Sequence, residues 1–187
     1  MTNATIPGRP PYLPGDPPPD AEMESMIRVD HAGEYGATRI YDGQLAVLGR
    51  GRARDAIRRM AEQEQRHLAA FEGLMRSHQA RPTVLSPLWH AAGYALGVAT
   101  ALLGERAAMA CTVAVEEVID EHYASQTERL GNADPELAAA IVQFRADELA
   151  HRDTALEHGA TETLGYDLIS ASIKAGSRLA IWLSTRI

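Results

Sequence analysis

The sequence predicts an all-α protein, an antiparallel four-helix bundle with an additional apolar segment and a C-terminal helix. Three observations support this prediction. Apolar residues recur every three or four positions along most of the chain, no stretch alternates like a strand, and short Gly- and Pro-containing turns separate the periodic stretches. Helices of about 25 residues joined by such short loops pack as an antiparallel bundle.

The chain has 187 residues, 45% of them apolar, which is enough to bury one core. Residues 1–20 hold 7 of the 10 prolines and lack the apolar region of a secretory signal, so we expect a flexible arm there. Residues 21–187 form the expected bundle domain.

Charge and cysteine content exclude several classes of function. The net charge of −7, with no run of Lys or Arg, argues against nucleic-acid binding. The single cysteine, Cys111, excludes an intramolecular disulfide and a Cys-rich zinc or iron–sulfur site, and fits a small core residue in a reducing compartment.

The first predicted helix covers residues 21–48 and ends at the glycines of GRG. A second apolar stripe runs from Ile57 to Met75 and stops before Pro82.

The third predicted segment runs from Pro87 to Leu130, with a possible kink at Gly104. The fourth helix covers residues 135–158 with Asp134 as its N-cap, and a fifth covers residues 161–187. The first four segments form the predicted core.

Two Glu-x-x-His pairs occur on these helices, Glu64 with His67 and Glu148 with His151. Residues three apart share a helix face, so each pair is able to present two metal ligands. The repeat alone is weak, because such a pair is more often a solvated surface feature.

The positions of four glutamates strengthen the argument. Glu34 and Glu64 are equally far from position 49 in the first turn, and Glu116 and Glu148 are equally far from position 132 in the turn GNADP. In each antiparallel hairpin the two residues therefore lie at the same height, roughly 22–24 Å from the turn at 1.5 Å per residue. We predict that all four carboxylates meet in one layer.

These glutamates interrupt apolar faces instead of belonging to solvated ones. On the third segment Glu116 is preferred over Glu117, because the neighbours of Glu117 are acidic. The neighbours of Glu116 are Thr112, Val113, Ile119 and Tyr123.

Four buried carboxylates require countercharge, since each buried ion costs several kcal/mol to desolvate. Two divalent ions supply it, and one Glu from each of two helices plus Glu-x-x-His from each of the other two is the ligand set of di-iron and di-manganese bundles. Oxygen-rich ligation favours iron or manganese over zinc. Asp147 and Asp120 are candidate acceptors for the imidazole N–H groups, and an ordinary surface acid is an equally good interpretation of each. The predicted ligands are Glu34, Glu64, His67, Glu116, Glu148 and His151.

Several stretches resemble the demethoxyubiquinone hydroxylase family over about residues 24–187. They are MIRVDHAGEYGATRIYDGQL, EQEQRHLAAFE, ACTVAVEEVIDEHYASQ, RADELAHRDTALEHGA and the terminus AIWLSTRI. The resemblance implies a ferritin-like fold, a centre of two iron ions held by the six predicted ligands, and Glu116 over Glu117.

The resemblance also implies the reaction, in which a ring carbon of a polyprenylated methoxy-methyl-benzoquinol receives a hydroxyl group from O2 during ubiquinone biosynthesis. NADH is the implied reductant, although the chain has no G-x-G-x-x-G after a strand. His122 and Tyr123 match the family's His-Tyr pair and are implied to lie near the quinol or to relay protons. Core packing is an equally good interpretation of Tyr123.

The segment Leu88–Leu103 is strongly apolar, but its 16 residues fall short of the ~20 that cross a bilayer. It is interpreted either as a membrane-surface or tail-binding helix or as a buried core helix. The last helix combines apolar and basic residues, as interfacial anchors do. We expect peripheral attachment to the cytoplasmic side of the cell inner membrane. Other ubiquinone-biosynthesis proteins or further copies of the chain are candidate partners.

Two other classes of function stay open at this stage. One is iron oxidation, storage or peroxide scavenging by a relative of ferritin or rubrerythrin. The other is a metal-free helical scaffold, in which the glutamates are ordinary surface charges.

Overall fold

The computed structural model describes residues 19–131 and 133–187, and these residues form α-helices and loops without any strand. The predicted all-α class is therefore confirmed. The predicted arm lies outside the described residues except for its last two, which begin the first helix, and its flexibility stays a prediction. The helices are α1 (Pro19–Val47), α2 (Arg52–Ser77), α3 (Ser86–Leu102), α4 (Glu105–Leu130), α5 (Pro135–Glu157) and α6 (Tyr166–Ser184), with a 3-10 turn at Ala160–Glu162.

Four long helices, α1, α2, α4 and α5, form the bundle as two hairpins. The α1–α2 hairpin turns at residues 48–51, and in the α4–α5 hairpin the first helix ends at Leu130 and the second begins at Pro135, as the spacing predicts. Asp134 caps α5 as expected, since its side chain accepts hydrogen bonds from the backbone N–H groups of Glu136 and Leu137, both at 3.0 Å.

The bundle buries two apolar clusters, one toward each end. One contains Phe71, Ile141 and Phe144, and the other contains Ile57 and Met60. On α2 and α5 the glutamate falls between the two clusters. On α1 and α4 it has residues of the first cluster on both sides, so apolar side chains enclose the polar layer on every helix.

The predicted third segment is wrong as a single kinked helix, because the chain divides it into α3 and α4. Gly104 separates them with φ of 113°, a conformation that L side chains rarely adopt and that interrupts the helix. The helix α3 then lies against the outside of α1. The contact is so close that a Cβ at Gly97 would lie 2.0 Å from the carbonyl oxygen of Ile40.

The last helix is shorter than the predicted range 161–187, because the 3-10 turn and Gly165, with φ of 74°, precede it. The helix α6 packs across α4, where Lys174 pairs with Glu117 and Arg178 lies 3.0 Å from Glu121. In the described part of the chain, no helix combines the length and apolarity needed to cross a bilayer.

Candidate metal centre

The structure brings the four predicted glutamates together in the middle of the bundle. Glu34 comes from α1, Glu64 from α2, Glu116 from α4 and Glu148 from α5, and each side chain is at most 1% exposed. Their alternation with apolar residues at helical spacing turns each of them inward.

The two predicted histidines complete two groups of potential ligands. Within each group the ligand atoms lie within 4.8 Å of one another. Glu64 and Glu148 belong to both groups. The first group adds Glu34 and His67, and the second adds Glu116 and His151.

Each imidazole directs Nδ1 at the carboxylates of its group. For His67, Nδ1 lies 3.2 Å from Glu148 Oε1, 3.5 Å from Glu34 Oε2 and 3.8 Å from Glu64 Oε2. For His151, Nδ1 lies 3.0 Å from Glu64 Oε1, 3.1 Å from Glu148 Oε2 and 3.9 Å from Glu116 Oε1. Six side chains therefore converge on two neighbouring points.

The hydrogen bonding of these atoms fits cations better than it fits a polar core. Buried polar atoms are nearly always hydrogen-bonded, yet several atoms aimed into the cluster have no partner in hydrogen-bonding geometry, although some lie as close as 3.0–3.2 Å to an opposite group. They are Oε2 of Glu34, both carboxylate oxygens of Glu64, Oε2 of Glu116, Oε1 of Glu148 and Nδ1 of His67. Convergent oxygen lone pairs with one nitrogen per group match the donor set that iron and manganese prefer.

The electrostatics support the same conclusion. Burial, followed by the charge of Glu148, raises the pKa of Glu64 and of Glu116 well above the ordinary value. Burial lowers the pKa of His67, but the carboxylates of Glu148 and Glu34 outweigh it and raise that pKa to about 10. The cluster therefore attracts positive charge, and without a metal ion it takes up protons.

Two tyrosines donate hydrogen bonds to Glu116 and Glu34, the glutamates that belong to only one group each. The hydroxyl of Tyr41 donates to Glu116 Oε1 at 2.7 Å, and the hydroxyl of Tyr123 donates to Glu34. The sequence analysis did not identify Tyr41. The signal was present, because Tyr41 and Tyr123 each follow a predicted glutamate ligand by seven residues.

The second ring nitrogens have partners on the opposite hairpin. His67 Nε2 lies 3.1 Å from Asp147 Oδ2, as expected for Asp147. Asp120 is not such an acceptor, because its carboxylate lies 2.6 Å from Arg145 Nε, in agreement with the alternative interpretation as an ordinary acid. The partner of His151 Nε2 is instead Gln63 Oε1 at 3.3 Å.

Glu117 is placed outside the cluster. It is half-buried and pairs with Lys174 of α6, whereas the adjacent Glu116 is buried between the hairpins. The choice between the two residues thus follows from the helix face that each occupies.

His122 lies beside the cluster instead of in it. Its Nε2 is 3.0 Å from Asp30 Oδ1, and Gln126 donates to the same oxygen at 2.7 Å. Asp30 is buried, with 2% exposure, and the sequence analysis missed its role as a partner of His122.

A cavity of about 500 Å³ lies between α1, α3, α4 and α6. Its walls are mainly apolar, and Asp30, Glu34, His122 and Tyr123 contribute polar groups at one side. The apolar segment around α3 supplies Trp89, Ala92, Gly93 and Leu96 to the wall. Leu179, which also lines the cavity, is 56% exposed.

Comparison with known proteins agrees with this site. The family described as ubiquinone biosynthesis protein COQ7 matches residues 21–184. A Rhodospirillum rubrum protein named 3-demethoxyubiquinol 3-hydroxylase is 54% identical over 176 residues, covering 94% of this chain and 83% of that protein.

Eukaryotic relatives are similar over the same part of the chain. The Homo sapiens NADPH-dependent 3-demethoxyubiquinone 3-hydroxylase, mitochondrial, is 51% identical and covers 89% of this chain and 79% of the relative. The Saccharomyces cerevisiae 5-demethoxyubiquinone hydroxylase, mitochondrial, is 39% identical with the same two coverages. A bundle with a carboxylate and histidine cluster, matched by one family model over nearly all of its length, leads to one conclusion: this chain belongs to the ubiquinone biosynthesis protein COQ7 family.

Proposed function

We propose that this protein is a di-iron monooxygenase that hydroxylates a polyprenyl methoxy-methyl-benzoquinol with O2, the demethoxyubiquinol step of ubiquinone biosynthesis. One observation carries the proposal. An apolar cavity large enough for a substituted ring ends at Glu34, which is one of the six clustered residues. The names of the relatives supply the substrate class.

The proposed ligands are the six clustered residues, with Glu34 and His67 on one ion, Glu116 and His151 on the other, and Glu64 and Glu148 shared. A pair of iron ions bound there would supply O2 activation and the electrons for oxygen insertion. The apolar clusters on both sides of the layer exclude bulk water, which strengthens every charge interaction inside it.

The residues beside the cavity have separate roles in the proposal. Tyr123 holds the Glu34 carboxylate through its hydroxyl and lines the cavity. Asp30 orients the His122 ring, so that the imidazole faces the substrate space in one tautomer and exchanges a proton with a quinol hydroxyl. We assign the catalytic roles to His122 and Tyr123.

We propose a nicotinamide nucleotide as the ultimate reductant. The resemblance implies NADH, whereas the mammalian relatives are named as NADPH-dependent. The described residues contain no strand and hence no Rossmann βαβ unit. Electrons therefore enter without a dinucleotide-binding domain of that type in this part of the chain.

The decisive experiment compares two adjacent glutamates. Glu116→Gln removes a proposed ligand, whereas Glu117→Gln changes a half-buried ion pair with Lys174 outside the cluster. We expect two irons per chain and quinol hydroxylation under O2 in the wild type and in Glu117→Gln, and loss of turnover in Glu116→Gln. Iron-loaded wild-type protein that leaves the quinol unchanged would instead favour iron oxidation or storage.

We further propose that the protein attaches peripherally to a membrane, which in a bacterial cell is the cytoplasmic side of the inner membrane. The start of α3 and the end of α6 meet where Trp89 Nε1 donates to Ser184 Oγ at 3.0 Å, and both residues line the cavity. Exposed apolar side chains at these two helix ends are Leu88, Leu179, Trp182 and Ile187. A polyprenyl tail in the lipid would reach the cavity from this side.

The attachment is tested by sedimentation with anionic lipid vesicles. We expect Trp182→Ser to reduce binding, because Trp182 is 52% exposed at this end. Val142→Ser is the matched control, since Val142 is 56% exposed on α5 of the bundle. Equal sedimentation of the two variants and the wild type would contradict the proposed membrane-facing surface.

A further inference from the structure

The two hairpins present their cluster residues in a repeated pattern. Glu34 and Tyr41 on α1 correspond to Glu116 and Tyr123 on α4, and each tyrosine donates to the glutamate of the other helix. The Glu-x-x-His pair of α2 corresponds to that of α5. The two groups of potential ligands are therefore related by an approximate twofold exchange of hairpins.

This repeat is broken at the residue that precedes each shared glutamate. That residue is Gln63 on α2 and Asp147 on α5. Both occupy the same place in the pattern, because Gln63 Oε1 faces His151 Nε2 at 3.3 Å and Asp147 Oδ2 faces His67 Nε2 at 3.1 Å. The Nε2–H group of His151 thus donates to a neutral amide, whereas the Nε2–H group of His67 donates to a carboxylate.

A carboxylate acceptor has a predictable effect on a metal-binding imidazole. It makes Nδ1 a stronger electron-pair donor to the metal ion and fixes the tautomer that leaves Nδ1 free for metal. It also adds a negative charge near the bound ion. An amide oxygen fixes the same tautomer without adding the charge. The two metal positions therefore differ in affinity although their direct ligands are of the same types.

We infer that Asp147 makes the Glu34–His67 position the tighter of the two, so that this position is filled first, and that Gln63 keeps the Glu116–His151 position weaker. The inference rests on the metal centre of the proposed function. The tighter position is also the one at the cavity, because Glu34 lines the cavity wall. The ion nearest the substrate space is accordingly the one retained when metal is scarce.

The test uses the full chain with one equivalent of Mn²⁺, located in crystals by anomalous scattering. We expect the ion at the Glu34–His67 position in the wild type. In the double variant Gln63→Glu/Asp147→Asn, which exchanges the carboxylate and the amide, we expect it at the Glu116–His151 position. Equal occupancy in the wild type, or the same position in both proteins, overturns the inference.

A solution titration separates this inference from the proposed function. Calorimetry with Mn²⁺ should give two dissociation constants in the wild type, and Asp147→Asn should weaken the tighter one by about 10- to 100-fold. Asp153→Asn removes an exposed carboxylate from the same helix and should leave both constants unchanged. Circular dichroism and thermal unfolding of the metal-free variants show whether they fold as the wild type does.

The outcomes are distinct. Two ions bound with unchanged constants in Asp147→Asn overturn the inference alone and leave the metal centre intact. Failure of the wild type to bind Mn²⁺ or Fe²⁺ overturns both. If Asp147→Asn does not fold, Gln63→Glu decides by itself, because it should tighten the weaker constant and bring the two together.

Discussion

Glu148 belongs to both groups of potential ligands, so its replacement by glutamine is the most severe test of the metal centre. The amide keeps the shape of the side chain but removes a ligand charge from both ions. At a free metal concentration about 100 times the weaker Kd, the weaker ion stabilises the native state by about 2.7 kcal/mol and the tighter ion by more, so the two ions contribute at least about 5.4 kcal/mol. At about 2–4 °C per kcal/mol for a chain of this length, the wild type should gain at least roughly 11–22 °C in Tm, and Glu148→Gln should lose most of this gain.

The metal-free proteins should differ in the opposite direction. Glu148 is fully buried, and burial raises its pKa. Above the ordinary pKa of a glutamate, a carboxyl with a raised folded-state pKa lowers stability, since unfolding releases its proton. A neutral amide avoids this cost, so metal-free Glu148→Gln should be at least as stable as the metal-free wild type near neutral pH.

Calorimetric melts with Mn²⁺ and with a chelator measure both effects. Glu157→Gln, an exposed change on the same helix, is the control and should keep the full metal-dependent shift. A Glu148→Gln protein whose Tm still rises as far as that of the wild type would refute the shared-ligand assignment.

Three further predictions concern other parts of the bundle. Tyr41→Phe removes a buried hydrogen bond to the carboxylate of Glu116 and should lower the free energy of unfolding by about 1.5–3 kcal/mol in urea titrations. An unchanged urea midpoint would contradict the hydrogen bond between Tyr41 and Glu116. Metal affinity should fall as pH falls from about 8 to about 5.5, because the raised pKa values of Glu64 and Glu116 make protons compete with the metal ions. Calorimetry in buffers of different ionisation enthalpy should detect the release of protons when metal binds. A pH-independent affinity would argue against this competition. Gly97→Ala should lower the free energy of unfolding by about 1–3 kcal/mol, because its Cβ would lie 2.0 Å from a backbone carbonyl oxygen of α1. Gly73→Ala in α2 is the control, since its Cβ meets nothing closer than 4.0 Å, and it should be neutral or stabilising. Equal unfolding midpoints for the two variants would show that α3 does not approach α1 so closely.

The cluster residues could be anticipated because helix geometry converts sequence distance into spatial distance. A residue such as Glu64 must lie level with Glu34 if both are equally far from one tight turn, and its apolar neighbours must face the core. The same reasoning could have identified Tyr41, since the spacing from Glu34 to Tyr41 repeats from Glu116 to Tyr123.

The sequence is less informative where a single glycine interrupts a continuous apolar pattern. Apolar spacing continues across Gly104, so the sequence predicted one kinked helix there. Only the positive φ of that glycine shows that α3 and α4 are separate. The sequence likewise did not show whether the carboxylate of Asp120 accepts from an imidazole or is an ordinary acid, and the structure places it against Arg145.

The sequence by itself determined the helical class, the antiparallel order of the two hairpins and the layer at which the acidic residues and histidines meet, because these follow from periodicity along one chain and from distance to a turn. Only the tertiary structure decided which side chains face each other across different hairpins, such as Asp147 with His67 and Asp30 with His122. The tertiary structure likewise decided where the cavity between α1, α3, α4 and α6 lies. Contacts of this kind depend on the rotation and lateral placement of whole helices, which packing of all their side chains sets jointly and which no local spacing encodes.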